Sequence, residues 1–128
     1  MSPSDVTADL EAALHERGSA AYVITTGDGA RPHVVLAEVA RQGSGFIAEV
    51  GKRTAANARR QPHVSLLFPV RDPSDYSLIV DAVATVEEPD RLHLAPTRAV
   101  LHRPAPASAP AASSCGSDCV PLSLQARS

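Results

Sequence analysis

Two runs rich in β-branched residues, Ala20 to Thr26 and Pro32 to Val39, flank Gly27-Asp28-Gly29. Asp-Gly between such runs is a strong hairpin signal, because a type I′ turn needs positive φ, which glycine adopts without a Cβ clash. A second turn, Gln42-Gly43-Ser44-Gly45, leads into Phe46 to Val50, so three antiparallel strands follow in series. His63 to Val70 and Tyr76 to Val86 read as two more, separated by the turn-forming Arg71-Asp72-Pro73-Ser74-Asp75. Arg91 to Ala95 reads as a sixth, weaker strand. Val6, Leu10, Ala13 and Leu14 share one face of a helix over 5–17, which Ser4 or Asp5 can cap and Gly18 can end. Thr54 to Arg60 is Ala-rich and lacks β-branched residues after Thr54, which predicts a second short helix stopping before Gln61-Pro62. Short strands, tight turns and two short helices predict a mainly β chain folded as a closed or nearly closed antiparallel barrel.

A chain of 128 residues supports one compact domain with one core, and not two. The apolar share of 44% and formal charge of −2 argue against overall disorder and against a large basic face for nucleic acid. Four aromatic residues, Tyr22, Phe46, Phe68 and Tyr76, are too few for a base-stacking platform, so the core is expected to be aliphatic. No apolar run reaches membrane-spanning length, and Met1 to Leu10 lacks the basic-then-apolar order of a signal peptide, so a soluble cytoplasmic protein is the expectation. Pro104 to Ser114 is almost entirely Pro, Ala and Ser. Residues 104–128 therefore read as a flexible or extended tail behind a domain at 1–103. The tail carries Cys115 and Cys119, whose pattern offers zinc two ligands where four are wanted; free thiols, a local disulfide and half a metal site remain the alternatives.

Val50-Gly51-Lys52-Arg53-Thr54 places two cations and a hydroxyl between the end of a strand and the start of a helix. Helix N-terminal N–H groups, the positive end of the helix dipole and two basic side chains together can hold a phosphate. The same residues could equally be an N-cap at Thr54 and two solvated loop charges. Asp81 is the one carboxylate in an apolar strand and is expected to face outward on the alternate side. The five histidines form no close ligand pair, although His33 and His63, each following a proline at a strand start, could face a cleft.

Gly51-Lys52-Arg53-Thr54, Asn57, and then Gln61-Pro62-His63-Val64-Ser65-Leu66-Leu67-Phe68-Pro69 resemble the pyridoxamine 5′-phosphate oxidase family of FMN-binding split barrels. The resemblance runs from about Ala20 to Val86 and adds the ending Pro96 to Pro104. It implies a six-stranded antiparallel split β-barrel with short helices, and an FMN-dependent oxidoreductase acting on a small molecule. It also implies that Lys52, Arg53 and Thr54 hold the FMN phosphate, that the backbone of Val34, Val35 and Leu36 and of Glu49, Val50 and Gly51 lies along the isoalloxazine, and that a homodimer shares the site. Where the oxidase carries an Arg and a Lys on the second strand, this chain has Pro32 and Ala37, and Tyr76 stands where the oxidase has a Gln. The oxidase's longer C-terminal region is not recognisable. These departures speak against authentic pyridoxamine 5′-phosphate oxidation. They leave open a deazaflavin (F420) in place of FMN, or a non-catalytic flavin or small-molecule binding protein on the same fold.

Overall fold

The computed structural model describes residues 3–72, 74–104 and 117–122. Helix α1 (Pro3–Arg17) buries Leu10, Ala13 and Leu14 on one face; the side chain of Val6 lies outside the described residues. Gly18, at φ +84°, donates its N–H to the Leu14 carbonyl at 3.0 Å and ends the helix in the left-handed conformation that suits glycine. Arg17 then ties the helix to the barrel, donating from Nε (2.9 Å) and Nη2 (2.5 Å) to the Tyr76 carbonyl.

Six strands close on one another: β1 (Ala20–Thr26), β2 (Pro32–Gln42), β3 (Gly45–Glu49), β4 (His63–Phe68), β5 (Ser77–Glu87) and β6 (Arg91–Pro104). The order β3-β2-β1-β4-β5-β6 returns to β3 through a β3–β6 pairing, and every pairing is antiparallel. Helix α2 (Lys52–Arg60) connects β3 to β4. Alternation places one face of each strand inside. In β5, Leu78, Val80, Ala82 and Ala84 are buried, and Val64, Leu66 and Phe68 of β4 meet them. The core is aliphatic as expected, with Phe46 and Phe68 its two rings, 6.1 Å apart.

Four local features differ from the sequence reading. The β1–β2 hairpin does not use a two-residue type I′ turn at Asp28-Gly29. Asp28–Ala30 forms a 3-10 turn instead, with Gly29 (φ 67°) and Ala30 (φ 60°) in the left-handed region. The two-residue turn would set Gly27 opposite Ala30 and slip the register by one, turning β2 inside out. The observed register pairs Thr26 with Pro32 and Val23 with Val35, which keeps Val39 in the core. Strand β6 is far longer than Arg91 to Ala95, because Pro96 sits beside a β-bulge: the register shifts between Asp81, opposite Arg98, and Ala82, opposite Pro96. A bulge absorbs a residue that cannot donate to the ladder. Beyond Pro104, β7 (Ser117–Leu122) pairs with Ala99–Pro104 of β6, and Leu122 packs against the core. Residues 105–116, Cys115 among them, lie outside the described residues. Lys52 and Arg53, expected ahead of the second helix, form its first turn.

Closure is tightest at Gly45, where an added Cβ would lie 2.5 Å from the Leu94 carbonyl oxygen of β6. That contact is backbone, so it cannot swing aside. Gly45→Ala is therefore expected to cost about 1–3 kcal/mol, the usual range for overpacking. Urea unfolding measures it, and an unchanged midpoint would contradict this closure of the barrel.

Candidate functional site

Strand β2 changes partners halfway along. Pro32–Glu38 pair with β1, whereas only Val39–Gln42 pair with β3. After Glu49 the chain leaves the sheet for α2, so among the described residues no strand pairs with the second edge of Pro32–Glu38. That split exposes backbone donors and acceptors on a rigid strand. Two cavities lie along β2. One of about 700 Å³ is lined by Pro32 and His33 at its start, and one of about 1070 Å³ by Leu36, Ala37 and Glu38 further along.

The smaller cavity is bounded by α2 and the β1–β2 loop. Arg53, Ala56, Asn57 and Arg60 recur at helical spacing on one face of α2, Lys52 precedes them, and Arg31 comes from the loop. Asn57 and Thr25 fasten the two walls together: both are buried, and the Asn57 amide donates to Thr25 Oγ1 at 3.1 Å. The first turn of α2 carries Lys52 and Arg53 and no acidic residue, and Gly51 at its N-cap gives no side-chain cap. Cations beside the positive end of a helix dipole repel it, and uncapped N–H groups lack partners within the helix. An anion placed there relieves both. The donor set of this pocket, the guanidinium groups of Arg31, Arg53 and Arg60 and the Lys52 ammonium beside the first turn of α2, fits a phosphate.

The predicted site residues are placed unevenly. Lys52 and Arg53 line this pocket and are exposed. Thr54 is 1% exposed and is not among the residues lining the cavity. It occupies the third helical position, with Gly51 at the cap, so the reading of Thr54 as an N-cap does not hold. Val34 and Leu36 point outward, 52% and 59% exposed, while Val35 packs against the core. Glu49 lines the larger cavity and accepts from Arg91 at 3.0 Å; Val50 donates its N–H to the Asp90 carbonyl at 2.9 Å. Pro32 and Ala37 line the smaller and larger cavities respectively. Sequence reasoning missed Arg31 and Arg60 as companions of Lys52 and Arg53. The seven-residue step from Arg53 to Arg60, two turns of helix, is the signal that could have found Arg60.

Asp28 also lines the pocket and is ion-paired with Arg60, whose other nitrogen donates to Asn57 Oδ1 at 3.1 Å. The Arg60 hydrogen bond, then the Arg60 charge and the nearby Arg53, hold the Asp28 carboxyl below its ordinary value of 3.8. His33 lines this cavity; His63 lines a separate small one with Asp81. Asp81 is half-buried on the outer face of β5, accepts from Ser65 Oγ at 2.7 Å and lies 3.9 Å from Arg98. Among the described residues no group of three or more His, Cys, Asp or Glu could hold a metal ion, and no helix is long and apolar enough to cross a membrane.

A closed six-stranded antiparallel barrel with this connectivity is the split barrel of the pyridoxamine 5′-phosphate oxidase-like proteins, a fold class that includes FMN-dependent oxidoreductases. A Listeria innocua protein described as a candidate pyridoxamine 5′-phosphate oxidase superposes with a TM-score of 0.64 at 18% identity, over 73% of this chain and 95% of that one. A Clostridium acetobutylicum protein related to general stress protein 26, of the pyridoxinephosphate oxidase family, gives 0.60 at 14% identity over 80% and 91%. The Vibrio cholerae heme storage protein HutZ gives 0.56 at 18% over 72% and 90%. No protein-family model matches the chain. By sequence the chain belongs to the family of two uncharacterised mycobacterial proteins, Mb0449c of Mycobacterium bovis and MT0457 of Mycobacterium tuberculosis. It is 42% identical to each over 121 residues, 81% of this chain and 85% of theirs.

Folding lowers the Asp28 pKa, so the contact stabilises the fold above pH 3.8 and loses that contribution as the pH falls through the folded value. An NMR titration is expected to place Asp28 below the ordinary carboxylate range in the wild type and to return it upward in Arg60→Met. An unmoved value in the variant would show that Arg60 does not hold this carboxylate.

Proposed function

We propose that this chain is an FMN-dependent oxidoreductase acting on a small molecule, with the FMN phosphate held in the pocket between α2 and the β1–β2 loop. The observation that carries the reading is the convergence of Arg31, Lys52, Arg53 and Arg60 on one pocket in a chain whose net charge is −2. Arg31 and Arg60 add positive charge to the pocket that Pro32 lines, one of the two positions where the resemblance led to a cation; the other, Ala37, lies on the larger cavity. In this reading Lys52, Arg53 and the first N–H groups of α2 bind the phosphate, which fixes one end of the ligand. The unpaired edge of Pro32–Glu38 then orients the ring system through backbone groups, towards the larger cavity beside Leu36, Ala37 and Glu38. The bound flavin supplies the electron transfer, so the protein's own share is position, charge and exclusion of water. A deazaflavin would use the same anchor and the same strand edge.

The outer sheet face supports a homodimer that completes this cleft. Leu36, Tyr22, Leu67, Ile79 and Val100 are successive register partners across β2, β1, β4, β5 and β6. Leu36 and Tyr22 are exposed and the other three half-buried, giving an apolar row across five strands. Apolar continuity of this kind marks an interaction surface, and a two-fold partner seated there covers the β2 segment that borders both cavities.

Two measurements test the proposal. Arg53→Ala is expected to weaken FMN binding at least about tenfold, since a charge-assisted phosphate contact contributes roughly 1.5 kcal/mol or more. Fluorescence titration with FMN, and in parallel with the deazaflavin, reads this directly; unchanged affinity would move the phosphate elsewhere. Leu36→Lys, at a site 59% exposed, is expected to leave the barrel folded and to convert dimer to monomer in sedimentation velocity. A variant that sediments as the wild type does would rule out this face as the interface.

A further inference from the structure

The cationic pocket already contains an anion of its own. Asp28 sits on the tip of the β1–β2 loop, pairs with Arg60 at the far end of the α2 stripe, and is near enough to Arg53 to feel its charge. The pair is built to be broken. Its side chains are 88% and 55% exposed, where an ion pair is weak and water competes for both partners. The walls behind it are fixed, by contrast, by the buried Asn57–Thr25 bond and by Gly27 N–H donating to the Arg31 carbonyl at 2.7 Å. A labile carboxylate on a firmly anchored frame can be displaced without disturbing the barrel.

On the phosphate-anchor reading above, we infer that Asp28 is the affinity-setting residue of the pocket: it occupies Arg60 while the pocket is empty, and the ligand phosphate takes its place. Arg60 then becomes an additional cation for the ligand, while its other nitrogen keeps the hydrogen bond to Asn57 Oδ1. The exchange keeps Arg60 compensated while the pocket is free and lowers the pocket's affinity for small anions in general. A ligand that also engages the β2 edge overcomes the internal carboxylate, whereas inorganic phosphate alone competes with it on poor terms. Asp28 in this sense sets a threshold: it weakens every phosphate that takes Arg60, and a phosphate that carries a ring system still binds through its further contacts on the β2 edge.

The test is a binding cycle read by quenching of FMN fluorescence, with inorganic phosphate as a competing ligand, on the wild type, Asp28→Asn, Arg60→Met, the double variant and Arg53→Ala. Both replaced side chains are largely exposed, and methionine retains much of the apolar stem of Arg60, so the fold is expected to survive, as circular dichroism would show. Asp28→Asn is expected to tighten FMN about three- to fivefold, the range an exposed ion pair can contribute, and to tighten inorganic phosphate by at least as much. In the Arg60→Met background the same replacement is expected to change FMN affinity less than about twofold, because the released cation is gone. An equal gain in both backgrounds would mean simple charge repulsion and would overturn the exchange, as would no gain at all. FMN binding that responds to Arg53→Ala but not to Asp28→Asn would sink the exchange and leave the anchor standing. Binding absent from every variant, or indifferent to Arg53→Ala, would remove the anchor and the exchange together.

Discussion

Strand β3 is five residues long and must pair on both sides, with the last four residues of β2 and the first four of β6. Everything else about the cleft depends on that short double pairing. Because β3 ends at Glu49, it closes the barrel at one end and leaves Pro32–Glu38 with an open edge at the other. Close approach of β3 to the Leu94 carbonyl demands a residue without Cβ, which Gly45 supplies. A longer β3 would satisfy the β2 ladder and abolish the split; a shorter one would leave the barrel open. Edge strands are normally blunted or covered, so an open edge bordered by two cavities is a feature with a use.

Electrostatics adds a second constraint on the same end of the barrel. Helix α2 is nine residues long and carries basic groups at both ends, Lys52 and Arg53 in its first turn and Arg59 and Arg60 in its last. The last turn is favourable to the dipole and the first is not. Arg59 is ion-paired with Glu88, and Arg60 with Asp28. At the N-terminal end the corresponding relief is left to whatever enters the pocket. An arrangement that is costly when empty and favourable with an anion beside it is suited to bind one, which is the physical basis of the proposed phosphate anchor.

The outer surface of the same strands adds a third. Barrel strands alternate, and the residues facing away from the core would ordinarily be polar. Here the row from Leu36 to Val100 is apolar across five strands, while the neighbouring row, Val34, Ile24, Ser65, Asp81 and Arg98, turns polar from β4 through β6. Ser65 satisfies Asp81 within the chain, so this polar end needs no partner to be stable. At the apolar end, Leu36 and Tyr22 remain exposed among the described residues.

Local chemistry was enough to read the strands from β1 to β5 and the start of β6, both helices, the aliphatic core and the cationic turn, because alternation, glycine and proline act over a few residues. The runs Tyr76 to Val86 and His63 to Val70 read as strands, and Lys52-Arg53 at a strand-to-helix junction offered a phosphate site beside the alternative of solvated loop charges. Register and convergence were not legible. The loop at Asp28 gave up its expected turn because inside and outside on β2 are set by pairing with β1. Pro96 looked like an end and became a bulge because β5 opposite could absorb the shift. Arg31 and Arg60 joined Lys52 and Arg53 because the hairpin folds back onto α2 through Asn57 and Thr25, residues 32 apart in the chain. Sequence by itself determined six of the strand segments, though neither the full length of β6 nor β7, and where positive charge is available. Only the tertiary structure decided which charges share a pocket and which strand edge stays open, since both follow from contacts between residues that the chain does not place together.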